Sequence, residues 1–407
     1  MKTIFLAAGR SSRLSPLSDK NFLHFGTSPL IFKLLKNAHK GGLKNFIIVG
    51  NKENVENIKK ICADNIFLNN AKIVIQKNLD LRMAGGILEG LEQVKDDESV
   101  FILGGNDFVN PNIYKKILEK SKNADGGILA KKCKKYFPGG YLQIDKNNKI
   151  FKIIEKPEPG CEPSDLVNIV AHFFQKAADI KNNLKNASSQ KDDIYEIALQ
   201  KLFEKKKFLA IRYDDYWQAI KYPWHVLSMM EFFLDKQKTK ISFKSEIADS
   251  ASLRGENIVI ESGAKIFENA TILGPCYIGK NAIVGNNALV RNSIIGENSV
   301  AGFNTEIARS FLGKNIDTHI AYIGDSVIDD NVNFGAFSCT ANLRLDKQNI
   351  FMKVKDQNIN SERTKFGAII GKNAQIGIHS CLMPGTKVGQ NCFVKPGEVG
   401  KNFLEVL

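Results

Sequence analysis

From Ile260 an aliphatic residue returns at every sixth position, through Ile266, Ile272, Ile278, Val284 and Val290. After a one-residue slip the series continues at Ile295, Ala301 and Ile307, and a second run follows at Ile370, Ile376, Leu382, Val388 and Val394. Such a period, starting near Ile247, reads as a hexapeptide solenoid. Gly279, Gly285, Gly296, Gly302, Gly371, Gly377 and Gly389 each follow the apolar residue. A chain turning a tight corner is expected to need a residue without a Cβ there.

The first half has a different rhythm. Short apolar runs at Ile4 to Ala8, Phe46 to Val49, Lys72 to Gln76 and Val100 to Leu103 read as strands. Amphipathic stretches at Leu30 to His39, Val55 to Cys62, Gly86 to Val94 and Asn112 to Lys120 read as helices. That order predicts an α/β domain, a mostly parallel sheet with helices on both faces and ligands at the carboxyl ends of its strands. Trp224 to Lys238 reads as a helix followed by a polar joint. The expected division is a first domain over 1–228, a linker helix over 229–245 and the solenoid over 246–407.

A chain of 407 residues is long enough for two or three such bodies. No apolar run approaches membrane-spanning length and no cleavage site follows Ile4 to Ala8, so a cytoplasmic protein without a membrane partner is expected. The seven cysteines form no C-x-x-C pair, which argues against a disulfide framework or structural zinc and for buried thiols. The formal charge of +14 makes polyanionic partners plausible. No basic stripe with interleaved aromatics occurs, so no nucleic-acid partner is expected.

Leu6-Ala-Ala-Gly-Arg-Ser-Ser-Arg-Leu14 leaves the first strand through small residues whose N–H groups could line a phosphate, with Arg13 to pair it. The alternative is a tight turn with a solvated arginine. The stretch resembles the signature loop of the sugar-1-phosphate nucleotidylyltransferases, L-A-A-G-x-G-T-R-[LM] followed by Pro-Lys. Here Ser11 and Ser12 replace Gly-Thr, and Asp19-Lys20 stands at Pro-Lys. The resemblance implies a Rossmann-like mixed-sheet nucleotidyltransferase domain. Leu6, Ala8, Gly9, Gln76 and Gly85 would bind the nucleotide, with Arg13 and Lys20 as catalytic cations. Arg82 and Met83 depart from the usual Gly-Thr beside the base. Asp107, ending an apolar strand segment, would hold Mg2+, or else serve as a turn aspartate. Phe137-Pro-Gly-Gly-Tyr141, Glu155-Lys-Pro157 and Asp165-Leu-Val-Asn168 resemble the family's sugar-side segments in order. They imply that Gly140, Glu155, Lys156, Asn168 and Lys221 meet the sugar phosphate. Ala219 stands where many relatives carry a second metal-binding residue after a Trp.

The solenoid is interrupted by Thr318-His-Ile-Ala-Tyr-Ile-Gly-Asp325, Asn331-Val-Asn-Phe-Gly-Ala336 and Ala341-Asn342, and then by a polar excursion through Lys365. This resembles the acetyltransferase site of the bifunctional amino-sugar-phosphate acetyltransferase and uridylyltransferase family, especially its archaeal two-domain members. The resemblance implies a left-handed parallel β-helix, with His319 as general base because an imidazole titrates near neutrality. Tyr322 and Asn333 would hold the sugar phosphate, and Ala336 and Asn342 would lie along acetyl-CoA. Arg309, Arg344 and Lys347 are candidates for phosphate charge, and His379 is expected to be structural. The expectation is a bifunctional enzyme using UTP, acetyl-CoA and Mg2+, assembled as a homotrimer or dimer of trimers. Two rivals are a nucleotidylyltransferase whose β-helix only trimerises and a non-catalytic regulatory subunit.

Overall fold

The computed structural model describes residues 1–355, 357–400 and 402. They form two compact units, one of Met1–Arg10 with Ile31–Trp217 and one of Ser11–Leu30 with Gln218–Leu407.

The first unit is built on a nine-stranded sheet. Its strands are β1 (Lys2–Leu6), β2 (Phe46–Gly50), β3 (Lys72–Ile75), β4 (Val100–Gly104), β5 (Gly126–Lys132), β6 (Gly140–Ile144), β7 (Ile150–Glu155), β8 (Leu166–Phe174) and β9 (Phe208–Tyr213). The order is β7-β6-β8-β4-β1-β2-β3, with β9-β5 attached to β8. Strands β1, β2, β3 and β4 are parallel, as their near-continuous apolar runs predict. Beyond β4 the expectation of a mostly parallel sheet fails, because β8 runs antiparallel to β4, β5 and β6. Register sets Leu6 opposite both Val49 and Gly104, so the chain leaves β1, β2 and β4 side by side.

The helices of this unit are α1 (Leu30–Lys40), α2 (Val55–Ala63), α3 (Arg82–Leu91), α4 (Asn112–Lys120), α5 (Ala177–Lys185) and α6 (Ile194–Lys205). Helix α3 starts before the expected Gly86 and encloses the weak helix formers Gly85 and Gly86. Packing overrides propensity there. A Cβ on Gly85 would stand 2.7 Å from Gln76 Nε2, and one on Gly86 would stand 3.0 Å from Gln76 Oε1.

In the second unit, helix α7 (His225–Lys236) precedes a triangular solenoid of three eight-stranded parallel sheets. Ile260 pairs with Ile278, Ile266 with Val284 and Ile272 with Val290, so three hexads close one coil. Their side chains are fully buried, which is why the inward position is mostly apolar; Thr318 and Thr340 share it only with their hydroxyls bonded to backbone groups. It is a left-handed β-helix of hexapeptide repeats. The excursion carries a hairpin, Phe351–Val354 with Gln357–Asn360, and the stack resumes when Ile328 pairs with Ile370.

The corner glycines have a different cause from the one expected. None of the seven has positive φ, and a Cβ on Gly296 would stand 1.9 Å from Gly313 O of the next coil. Close approach of coils excludes it. Most left-handed corner positions belong to asparagines, and at one corner their amides form a ladder from Asn281 through Asn298, Asn315, Asn331 and Asn373 to Asn391.

The segment Ser11–Leu30 packs within this second unit. Phe25 is buried against Phe311 and Phe233 at ring distances of 5.3 and 5.5 Å. Ser18 N–H donates to Asp329 Oδ2 at 2.6 Å, and Gln390 Nε2 to Pro16 O at 3.0 Å. Among the described residues no helix is long and apolar enough to cross a membrane. Cys62, Cys276 and Cys392 are buried thiols, whereas Cys161 is exposed.

Candidate active sites

At the carboxyl end of β1, buried Asn51 and Asn54 fix the departing chain. Asn54 Nδ2 donates to Ala7 O at 2.9 Å and Asn51 Nδ2 to Ala8 O at 3.0 Å. With those carbonyls tied back, the N–H groups of Ala8, Gly9 and Arg10 meet no acceptor among the described residues. Successive unsatisfied N–H groups at a strand exit form an anion-binding surface. Gln76 is also buried, and both hydrogens of its Nε2 are committed, to Asn78 O at 2.9 Å and Arg82 O at 2.8 Å. Only Oε1 remains to meet a ligand, as an acceptor.

Within Ser11–Leu30, Ser11 lies at φ 50, the left-handed conformation that glycine adopts without strain, where the resembling signature has Gly. Asp19 at φ −60 keeps a proline-compatible backbone without the ring. Its Oδ1 accepts from Asn21 N at 3.0 Å, Asn21 Nδ2 at 2.9 Å and Ser11 Oγ at 3.2 Å. Lys20 begins the short helical turn that this carboxylate caps. Arg13 is half-buried and has no acidic partner among the described residues.

Asp107 follows β4 at the start of a short strand, Asp107–Val109, and its Oδ1 accepts from Trp217 Nε1 at 2.8 Å. No cluster of three His, Cys, Asp or Glu with metal-binding spacing exists among the described residues. A single oriented carboxylate fits Mg2+, which keeps several waters and takes its remaining ligands from substrate phosphates.

Of the residues expected to meet the sugar phosphate, Gly140, Glu155, Lys156 and Asn168 lie on or beside β6, β7 and β8. Gly140 leaves room for Glu155, whose Oε2 would lie 3.2 Å from a Cβ. Lys156 Nζ pairs with Glu155 at 2.7 Å and with Asp192 at 3.1 Å, and Asp192 also pairs with Arg82 at 3.2 Å. Burial pulls the Lys156 pKa down, but the two carboxylates outweigh it and hold the pKa above its ordinary value. Its charge is thus balanced within the protein. Asn168 sits on β8 with Oδ1 2.7 Å from His172 Nε2. Lys221 lies in the other unit, where its N–H donates to His225 Nδ1 at 3.2 Å. Asp192, Tyr195 and Glu196 belong to the region from Phe174 to Lys207, where the sequence carries no motif. Tyr195 and Glu196 lie on helix α6, whose amphipathic pattern is ordinary, and Asp192 lies in the loop before it. These three escaped sequence reading. Asn51 and Asn54 escaped too, although their place after an apolar strand was a usable signal.

Glu196, on α6, is buried, and burial foremost, with the negative charge of Glu155 next, pushes its carboxyl from an ordinary 4.5 to about 8. Because the folded pKa exceeds the unfolded one, the folded chain binds the proton more tightly. Stability therefore falls as pH rises from about 4.5 to about 8 and stays reduced above that. Glu196→Gln imitates the protonated form, so its melting temperature is expected to match the parent's near pH 5. By about pH 9 it should exceed the parent's by roughly 5 °C. Thermal melts across that range check this, and parallel curves would refute it.

In the β-helix, Asp325 is almost fully buried at φ 48 and engages two predicted residues, Arg309 and Asn342. Arg309 holds it through Nε at 2.8 Å and Nη2 at 2.7 Å. Asn342 Nδ2 donates to Asp325 Oδ2 at 2.5 Å and to the Tyr322 hydroxyl at 3.2 Å. The hydrogen bonds that Arg309 donates to Asp325 raise its pKa, and they commit its guanidinium inside the protein. Arg344 is engaged with Asp346 at the surface, and Lys347 is exposed. His319 is exposed at the corner after Asp317–Thr318, a strand that pairs with Asn333–Phe334 on the next coil, so Asn333 and Ala336 flank the corner it occupies. His379 stacks on Phe337 at 4.9 Å and 8°.

Residues 2–220 match the family model for nucleotidyl transferases, and residues 257–292 match that for bacterial transferase hexapeptide repeats. The chain is 32% identical to the bifunctional sugar-1-phosphate nucleotidylyltransferase/acetyltransferase of Sulfurisphaera tokodaii, over 98% of this chain and 97% of that protein. It is 32% identical to the bifunctional protein GlmU of Methanococcus maripaludis, over 100% of this chain and 96% of that one. For the bifunctional protein GlmU of Methanocaldococcus jannaschii the figure is 30%, over 97% and 93%. Relatives alike over both units, in the same order, show that the chain belongs to the bifunctional sugar-1-phosphate nucleotidylyltransferase/acetyltransferase family, as a transferase joining a nucleotidyltransferase domain to a hexapeptide-repeat β-helix.

Proposed function

We propose that residues 246–407 acetylate a hexosamine 1-phosphate, most simply glucosamine 1-phosphate, and that residues 1–228 uridylylate the product to UDP-N-acetylglucosamine. The open N–H groups of Ala8, Gly9 and Arg10 carry the second half, since they suit a triphosphate. An oxygen of the sugar phosphate attacks the α-phosphorus in line; that P–O bond forms as the bond to pyrophosphate breaks. Arg13 and Lys20 neutralise the charge that develops, and Glu155 and Asn168 orient the sugar. Lys156, balanced by Glu155 and Asp192, holds Glu155 in place. Mg2+, when held at Asp107, supplies charge neutralisation across the phosphates.

Gln76 supports uracil. With both Nε2 hydrogens committed, its Oε1 needs a base N–H, which uracil carries on the ring at N3, whereas cytosine carries one only on its exocyclic N4.

In the acetyl half, the substrate amine attacks the thioester carbonyl of acetyl-CoA. The C–N bond forms, the C–S bond breaks, the amine proton passes to His319 and the thiolate leaves. Tyr322 and Asn342, tied through Asp325, supply the polar wall. Exposed Phe303 and Phe337 at the corner His319 occupies support a homotrimer, or a dimer of trimers, whose second copy covers that edge. No acetyl-CoA turnover at all would instead favour a β-helix that only assembles.

Purified protein with glucosamine 1-phosphate, acetyl-CoA, Mg2+ and each nucleoside triphosphate in turn, with thiol and pyrophosphate followed separately, tests both halves. Both products are expected, with UTP preferred to CTP by more than about tenfold. Thiol without pyrophosphate removes the first domain's activity, and pyrophosphate without thiol removes the second's.

A further inference from the structure

Two buried residues that touch no substrate in the proposed reaction decide what Asn168 offers. His172, on β8 four residues after Asn168, is fully buried. Its Nε2 lies 2.7 Å from Asn168 Oδ1, and its Nδ1 lies 2.6 Å from the hydroxyl of Tyr195 on α6. The Tyr195 and His172 rings also stack, at 5.6 Å and 16°. Burial lowers the His172 pKa to about 3, against a hydrogen bond with the Ile169 backbone that raises it, so the ring is neutral and carries one proton. An amide oxygen has no hydrogen to give, so Nε2 must be the donor. Bare Nδ1 then accepts, and the Tyr195 hydroxyl donates. Donation runs in one direction, from Tyr195 through His172 to Asn168, and it fixes both the tautomer and the orientation of the amide.

One lone pair of the Asn168 carbonyl is thereby engaged, and the amide is turned with Oδ1 toward His172. Its Nδ2 meets no protein acceptor among the described residues, while the side chain keeps a small exposed surface of 8%. We propose that His172 and Tyr195 are positioning residues that orient the Asn168 amide so that it meets the substrate through Nδ2, as a hydrogen-bond donor. The sugar 1-phosphate must then meet it with an acceptor oxygen, from a ring hydroxyl or an acyl carbonyl. This rests on the reading of the first unit as the sugar-phosphate site.

The test uses the full-length protein. Tyr195→Phe keeps the stacked ring but removes the O–H, so the imidazole proton is free to move to Nδ1. Nε2 then faces Asn168 Oδ1 lone pair to lone pair, and the amide turns its carbonyl toward the substrate. The KM for the sugar 1-phosphate in pyrophosphate release is expected to rise about tenfold. The KM for UTP and the rate of thiol release should stay at parental values. Asn168→Asp, which offers only acceptors, should raise the same KM by at least as much, and the double variant should add nothing further. Imidazole 15N spectra should show the proton on Nε2 of His172 in the parent and a tautomer mixture in Tyr195→Phe.

A rise confined to the sugar phosphate in both variants supports the proposal. A rise in Asn168→Asp with Tyr195→Phe at parental values overturns the positioning role and leaves the sugar-phosphate reading intact. Parental KM in both variants overturns that reading of Asn168 and the proposal with it. A parent spectrum with the proton on Nδ1 overturns the proposal whatever the kinetics.

Discussion

His319→Ala is expected to lower thiol release from acetyl-CoA by about a thousandfold, within the range that a general base contributes, while pyrophosphate release stays at the parental rate. The reason lies in position. His319 stands at the surface of a coil corner, whereas the inward residues around it, Ile316, Thr318 and Ile323, are fully buried. Truncating it removes no core packing, so a loss of turnover cannot be traced to unfolding, and a melting temperature unchanged within about 1 °C should accompany it. Tyr322 and Asn342, held through Asp325, remain to bind the substrate, so KM should move far less than kcat. Thiol release persisting in the alanine variant at more than about a tenth of the parental rate would remove His319 from the mechanism. In that case the β-helix would be left with assembly as its role.

The β-helix was legible because its inward position accepts so little. Ile260, Ile278 and Ile295 point into one narrow core, and six-residue spacing leaves no other arrangement that buries them all. What failed was the reason given for the glycines. Gly279 and Gly296 answer a backbone on the neighbouring coil, a contact about three hexads away in sequence, while the left-handed φ falls on Asn281 and Asn298. A local rule identified the right residue and the wrong cause.

The same distinction runs through the two sites. Residues carried by a contiguous motif, such as Gly9, Arg13 and Glu155, can be singled out as candidates from their neighbours in the chain. Residues that hold them were not. Asn51 reaches Ala8, Asp192 reaches Lys156 and Arg82, and Tyr195 reaches Asn168 through His172. Each of these contacts crosses from one element to another, so no spacing rule records it. Arg309 shows the same limit from the other side. Its charge suggested a phosphate ligand, yet buried Asp325 engages it on two nitrogens, and only the fold brings that carboxylate to it.

Arg13→Ala is expected to reduce pyrophosphate release by about a hundred- to a thousandfold, the loss typical when one preorganised donor to a developing anion is removed. Thiol release should be unaffected. Arg13 lacks an acidic partner among the described residues, so no structural ion pair is broken by truncation. The turn that presents it is secured independently, by Asp19 bonding Ser11 and Asn21 and by Ser18 N–H bonding Asp329. The loop should therefore keep its shape in the variant, and the loss should fall on kcat for nucleotidyl transfer. Arg13→Lys retains a point charge but not the planar fork, so it should recover part of the rate and leave a deficit of about tenfold. Asp19→Ala makes the complementary case, because it leaves both cations in place and loosens the turn that aims them. If Arg13 acts through its charge, Asp19→Ala should lower the rate less than Arg13→Ala does. A parental rate of pyrophosphate release in Arg13→Ala would instead return the loop to the solvated-arginine turn that its sequence also allowed.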